Sequence, residues 1–163
     1  MRLEIENPDN LYDKNLTDPM IEFYDNVITQ MHVDDFDLYN LSDEEVFELC
    51  NDIVEELANI DPKFAKYMGR PVIMPSIHTY TYDSYPLPFH APENGYVVNV
   101  CMAKAWSKNW GGEFISFHAT EPEDVVASYP GRIYVSHGTP WCKITQPNIK
   151  AEHDLVYLSF RLV

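Results

Sequence analysis

The stretch GRIYVSHGTPWCKIT, residues 131–145, holds two short runs of β-branched and aromatic residues on either side of Gly-Thr-Pro. This pattern predicts a strand, a turn and a second strand, because Gly and Pro end regular structure while β-branched and aromatic residues favour strands. Two side chains of the stretch, His137 and Cys142, are of types that bind metals or take part in catalysis. The stretch therefore predicts a pair of strands with chemically useful side chains close to its turn.

The same β pattern extends over the chain from Arg70 to its end. Runs rich in Val, Ile, Tyr and Phe are separated by Pro, Gly and Asn; they include PVIMPSIHTYTY (71–82), GYVVNVCMAKAW (95–106) and LVYLSFRLV (155–163). Six or more short strands with no helix between them predict an antiparallel sandwich or barrel.

The part of the chain before residue 70 has helical patterns instead. Ser42 and Glu45 form a capping box at the start of SDEEVFELCNDIVEELANIDP, in which apolar residues recur at spacings of three and four. Asp18 is a second candidate N-cap and predicts an earlier helix. Helices followed by strands predict an α+β fold, with the helices packed on one face of a jelly-roll β core.

Length and composition predict a single domain. The chain has 163 residues, of which 45% are hydrophobic, and this suffices for one sizeable core. We expect one domain over residues 1–163, with an acidic helical part at 1–69 and the jelly-roll core at 70–163. No run approaches the roughly 18 apolar residues of a membrane span, and the polar start does not resemble a signal peptide. These features predict a soluble, cytoplasmic protein.

The net charge of −15 is concentrated in one part of the chain. Residues 1–69 carry 18 acidic and 4 basic side chains, whereas the remainder is nearly balanced. Such a field disfavours nucleic acid and anionic membranes as partners, because both are bound through Lys and Arg. Two interpretations stay open: a solvated helical face that keeps the protein in solution, or a docking surface for a basic protein partner.

Three cysteines, Cys50, Cys101 and Cys142, lack the spacing of a disulfide framework or a zinc finger. We expect Cys50 and Cys101 to be small buried apolar residues. A thiol nucleophile at Cys142, with His137 or His90 as its base, is a less specific pattern. The sequence has no GxSxG, GxxxxGK or GxGxxG motif, so it does not support a serine hydrolase or a nucleotide-binding protein.

Three short motifs, in order and at suitable spacing, resemble the prolyl 4-hydroxylase-like branch of the 2-oxoglutarate and Fe(II)-dependent oxygenases. They are WGGEF (110–114), PGRIYV (130–135) and LSFRL (158–162), and the resemblance covers residues 71–163. It implies a double-stranded β-helix, which is a cupin-like jelly-roll barrel. These motifs belong to the scaffold, and a scaffold alone does not establish activity.

The resemblance also implies where the functional residues should lie. The family binds iron through two histidines and one carboxylate, and it holds 2-oxoglutarate with a basic residue near the chain end. By this comparison the first histidine is His90, the carboxylate position holds Pro92, the second histidine position holds Cys142, and the basic position holds Leu155. Three of the four expected residues are therefore replaced, which leaves open whether the protein is an enzyme.

Other residues could compensate for these losses. Glu93 could replace the carboxylate, Cys142 could bind a softer metal as a thiolate, and His137 could supply the missing imidazole. Lys150 or His153 could bind the cosubstrate's carboxylate. An aromatic set around the expected barrel mouth, represented by Tyr82, Trp106 and Trp141, would suit recognition of a flat or extended ligand.

The sequence thus favours an oxygenase-like barrel that has lost its metal and cosubstrate and acts as a non-catalytic binding or structural module. Its partner would be a protein that binds the acidic helical surface or the aromatic mouth, and it would need no cofactor. One alternative is an active hydroxylase that uses Fe(II) and 2-oxoglutarate in a rearranged site. Another is an acidic protein that mimics a polyanion and occupies a basic partner.

Overall fold

The computed structural model describes residues 2–4, 20–24, 40–90, 94–118, 121–137 and 141–163. Its elements are an 18-residue helix, two 3-10 helices and ten strands. In chain order they are β1 (Arg2–Glu4), β2 (Met20–Tyr24), α1 (Asp43–Ile60), a 3-10 helix (Pro62–Tyr67), β3 (Ile73–Tyr80), β4 (Phe89–His90), β5 (Tyr96–Cys101), a 3-10 helix (Lys108–Trp110), β6 (Phe114–His118), β7 (Glu121–Val126), β8 (Ile133–His137), β9 (Trp141–Ile144) and β10 (Leu155–Leu162).

The strands in the described ranges form two antiparallel sheets. The large sheet has six strands in the order β1-β2-β8-β5-β10-β3, and the small sheet has four in the order β4-β9-β6-β7. The last eight strands pair in a nested way: β3 with β10, β4 with β9, β5 with β8, and β6 with β7. Two further pairings, β5 with β10 and β6 with β9, join these pairs into the sheets. The chain is therefore α+β with mostly antiparallel sheets, as the sequence predicts.

Helix α1 forms where the capping box predicts it. The Glu45 amide donates to the Ser42 hydroxyl at 3.2 Å, and the Ser42 amide donates to the Glu45 carboxylate at 2.7 Å. Five residues of the apolar stripe are buried: Leu49, Cys50, Ile53, Val54 and Leu57. They pack against side chains of β5, β8 and β10, so α1 covers one face of the large sheet as expected.

The helix predicted after Asp18 is wrong where the structure describes it. Met20–Tyr24 forms strand β2, which pairs with β8 from Met20 opposite His137 to Tyr24 opposite Ile133. Without β2 this side of β8 would expose a row of unpaired backbone groups, and pairing satisfies them. Tertiary pairing thus overrides the local helical spacing. Residues 25–39, the rest of the predicted helix, lie outside the described ranges.

A second apolar cluster fills the space between the two sheets. It joins side chains of β5, β8 and β10 from the large sheet to side chains of β6 and β9 from the small one. Because side chains alternate along a strand, residues of this cluster and their neighbours two positions away identify the inner faces of the sheets.

None of the helices within the described ranges is long and apolar enough to cross a membrane.

Candidate functional site

The inner space has an apolar part, closed by stacked aromatic rings. Phe114 of β6 stacks on Tyr134 of β8 with ring centroids 4.5 Å apart and an angle of 11° between the rings. Tyr157 of β10 lies 5.9 Å from Tyr134, and burial raises the pKa of Tyr157 well above its ordinary value. All three side chains are at most 1% exposed. This part of the inner space is therefore filled by the protein itself.

Leu155, at the position where the resemblance implies a basic residue, belongs to this filled part. It is 0% exposed and lies at the start of β10. A Cβ added to Gly112 would come within 2.6 Å of the Leu155 side chain and 3.1 Å of Trp106, so the three residues are closely packed. The indole nitrogen of Trp106 donates to the Gly111 carbonyl at 3.0 Å. WGGEF thus forms a turn that seals this end of the inner space.

Cys142 lies on the inner face of the small sheet. It is 0% exposed and stands opposite Phe89 of β4 and Ser116 of β6. Burial raises the pKa of the Cys142 thiol to about 12, and the neighbouring Ser136 hydroxyl offsets only part of this rise. Although it lies beside the thiol, the Ser136 hydroxyl lacks the geometry of a hydrogen bond to it. Cys142 is therefore a neutral thiol near pH 7, and both metal binding and nucleophilic attack require the thiolate.

His90 and Glu93, the other candidate ligands around this position, are described only in part or not at all. The backbone of His90 pairs with Trp141, one residue away from the position of Cys142. Glu93 and Pro92 lie outside the described residues. Among the side chains that the structure describes, no three His, Cys, Asp or Glu residues are grouped to hold a metal ion.

His137 faces away from Cys142. Its ring lies 5.5 Å from the ring of Tyr96, which in turn contacts Phe64 and Tyr67 of the first 3-10 helix. These contacts place His137 on the face of the large sheet that the helices cover. The structure therefore does not bring its imidazole to the thiol.

Lys150 and His153 lie in the exposed connection between β9 and β10. The His153 ring is 6.0 Å from the ring of Trp110, at the end of the sheets where β10 begins. Both side chains are thus outside the closed inner space, and the fully buried Leu155 lies two residues after His153.

The three representatives of the aromatic set occupy different surroundings. Trp106 is partly buried against the inner cluster, and its ring contacts Trp110 at 5.4 Å. Tyr82 is 51% exposed, and its backbone carbonyl accepts a hydrogen bond from the Gln146 amide. Trp141 is 48% exposed and precedes inward-facing Cys142, so it lies on the outer face of the small sheet. Trp106 therefore packs in the protein, whereas Tyr82 and Trp141 present apolar surface to solvent.

Sequence reasoning missed a polar group on the inner face of the large sheet. Asn99 of β5 stands opposite Tyr134 and Ser159, and in the adjacent row Val97 stands opposite Ser136 and Arg161. Asn99 and Ser136 are 4% and 0% exposed. The sequence does contain a polar residue at an inward position of each of these strands. That these residues lie side by side can be recognised only once the register of the strands is known.

Comparisons with known proteins add no relative. A scan against protein-family models finds no match, and neither does a search of the curated proteins.

Proposed function

We propose that this protein is a non-catalytic binding module built on the jelly-roll scaffold of the 2-oxoglutarate and Fe(II)-dependent oxygenases. A jelly roll arises when a long antiparallel ribbon wraps around itself, so that the first strand pairs with the eighth, the second with the seventh, and so on inward. The nested pairing of β3 to β10 follows this order. The strand order therefore supports the scaffold that WGGEF, PGRIYV and LSFRL suggest.

The observation that carries the non-catalytic assignment is the burial of Leu155. An oxygenase of this kind needs a cation at that position to pair with the cosubstrate, and it needs space beside the cation. Leu155 is fully buried instead, in a cluster with Tyr134 and Tyr157. A 2-oxoglutarate molecule would have to displace this packing and would find no charge to pair with its far carboxylate.

The state of Cys142 supports the same proposal. Burial raises the pKa of its thiol to about 12, because a charged thiolate would lose its contact with water. A metal could bind there at neutral pH only if the thiol first lost its proton, which is unfavourable in this buried position. The barrel would therefore lack a metal-binding side chain at this position as well as a cosubstrate site.

The experiment that tests this proposal measures succinate after the protein is incubated with Fe(II), ascorbate and 2-oxoglutarate in air. Protein is used at a concentration comparable to 2-oxoglutarate, so that even a single uncoupled turnover is detectable. We expect less than one succinate per chain, equal to a protein-free control. Repeated turnover that disappears in His90→Ala would instead favour the active hydroxylase with a rearranged site.

The surface that best suits a partner is the exposed face of α1. The helix contains seven acidic residues and no Lys or Arg. Glu44, Glu48, Asp52 and Glu56 follow one another at spacings of four, and such like-charge pairs destabilise a helix. Glu55 and Glu56 also lie near the negative end of the helix dipole. A basic partner would relieve this repulsion, so we propose a Lys- or Arg-rich protein surface as the ligand of α1.

A matched pair of double variants tests this assignment. Glu48→Gln with Asp52→Asn removes two charges from α1, whereas Asp83→Asn with Glu152→Gln removes two exposed charges elsewhere. We expect the α1 variant to bind a Lys-rich peptide several-fold more weakly than the control variant, with an affinity that falls as salt rises. Equal weakening by both variants would show that net charge alone is responsible and would contradict a site on α1.

A further inference from the structure

The inner face of the large sheet carries buried donors with no acceptor. The Asn99 side-chain nitrogen and the Ser136 hydroxyl have no hydrogen-bond partner within the part of the chain that the structure describes. Leaving such a group unpaired is unfavourable because it loses its hydrogen bonds to water, and buried polar groups are rarely left unpaired in native proteins. Two such groups on neighbouring rows of one sheet indicate a site that something else completes.

The residues around these donors add further polar groups on the large sheet. Ser159 stands opposite Asn99, and Arg161 lies in the same row as Ser136, separated from it by Val97. The alternating residues Leu158, Phe160 and Leu162 pack under α1, so Ser159 and Arg161 are on the inner side. The small sheet contributes the neutral thiol of Cys142 beside Ser136.

Arg161 supplies a positive charge at a position that is partly exposed to solvent. Its side chain is only partly buried, and no hydrogen bond or ion pair engages it within the described residues. The planar guanidinium, the Asn99 amide and the serine hydroxyls are all donors, so they suit a ligand that offers acceptors and a negative charge. A planar carboxylate matches the fork of an arginine better than a tetrahedral anion does.

We propose that this inner polar layer, defined by Asn99, Ser136, Ser159 and Arg161, binds a small carboxylate without a metal ion. The site is separate from Leu155, where the oxygenase resemblance implies the cosubstrate's cation. The inference goes beyond the non-catalytic function proposed above, and the test distinguishes a failure of one from a failure of the other. A carboxylate here would satisfy the buried donors and add stability to the folded chain.

The test is a titration of the ¹⁵N-labelled full chain in EDTA with acetate, succinate and phosphate, at constant ionic strength maintained with chloride. The readouts are the side-chain amide signals of Asn99 and the melting temperature. We expect the carboxylates to shift the Asn99 signals in a saturable way and to raise the melting temperature. Arg161→Gln should weaken the binding about tenfold or more, because a charge-assisted hydrogen bond is lost. Arg70→Gln, at an exposed arginine outside the layer, should leave the binding unchanged.

Three results would overturn the proposal. The first is an Asn99 signal that no carboxylate moves up to about 50 mM, a concentration well above the range of specific small-ligand sites. The second is phosphate binding with equal affinity, because the site would then not be selective for a carboxylate. The third is carboxylate binding that appears only after EDTA is replaced by Fe(II), which would return the site to metal chemistry. Because the Asn99 signal is read in the wild-type protein, the test does not depend on a variant that folds.

Discussion

Leu155 is the residue whose side chain most directly distinguishes a filled inner space from a cosubstrate site. It is fully buried in a cluster with Tyr134 and Tyr157, and the partly buried Trp106 packs against this cluster. We predict that Leu155→Arg lowers the free energy of unfolding by about 3 kcal/mol or more, because an unpaired guanidinium would be buried. Urea denaturation followed by far-UV circular dichroism measures the loss.

The matched control for this variant is Ile149→Arg, at a side chain that is 77% exposed. It should change stability by no more than about 0.5 kcal/mol. If Leu155→Arg were as stable as the control and bound 2-oxoglutarate, the inner space would be able to hold a cosubstrate after all.

Cys142 gives a second prediction at the residue scale, because burial raises the pKa of its thiol from 9.0 to about 12. Between these values the folded chain keeps a proton that the unfolded chain has released, so stability is complete below about pH 9 and falls as pH rises towards 12. Cys50 and Cys101 have pKa values raised to about 12 by the same cause. We predict that guanidinium denaturation at pH 10 gives about 1–2 kcal/mol less stability per buried thiol than at pH 7.5.

The contribution of Cys142 is isolated with Cys142→Ala, which should lose less stability between the two pH values than the wild type does. At pH 8 an aromatic disulfide reagent should label the native thiols only after denaturant is added. Rapid labelling of Cys142 in the native protein would mean that a thiolate is available, and the argument against a metal there would fail.

The turn before β6 provides the test at the scale of an element. Gly112 has φ +72°, and an added Cβ would meet Leu155 at 2.6 Å and Trp106 at 3.1 Å. Gly69 has nearly the same backbone, with φ +70°, but no atom within 4 Å of the added Cβ. Gly69→Ala should therefore lose about 1 kcal/mol for its backbone alone, while Gly112→Ala should lose about 1–3 kcal/mol more through overpacking. Equal losses in urea denaturation would show that the turn does not press against the inner cluster.

The elements differ in how far the sequence alone predicts them, and the range of the interactions explains why. Helix α1 is specified locally, by the capping box of Ser42 and Glu45 and by an apolar stripe within one segment. Strand β2 is specified by its pairing with β8, more than 100 residues later in the chain, and its short apolar spacing fits a helix equally well. Local signals were sufficient for the first element and misleading for the second.

The candidate sites show the same limit at the scale of the whole molecule. The positions of Cys142 and Leu155 could be compared with the oxygenase site along the sequence, because Cys142 lies shortly after PGRIYV and Leu155 shortly before LSFRL. The grouping of Asn99, Ser136 and Arg161 could not, since it depends on the register of three strands that are distant in sequence. Strands β8 and β9 on either side of Gly-Thr-Pro could be predicted, whereas the orientation of His137 away from Cys142 required the fold.

As a whole, the chain is an α+β assembly of two antiparallel sheets with α1 on one face. Its inner space is filled by aromatic rings at one end and is polar at the other. The central proposal is that this space does not bind iron together with 2-oxoglutarate. Binding tests this claim more directly than turnover does, because it does not depend on the identity of an acceptor substrate.

The measurement is an anaerobic titration of metal-free protein with Fe(II) and 2-oxoglutarate, followed by the visible charge-transfer band and the melting temperature, with His90→Ala as the control. We predict no band at excess of both ligands, and wild type and His90→Ala should show the same melting temperature change. A band together with a thermal shift, both absent from His90→Ala, would contradict the account and identify the protein as a metal-binding oxygenase.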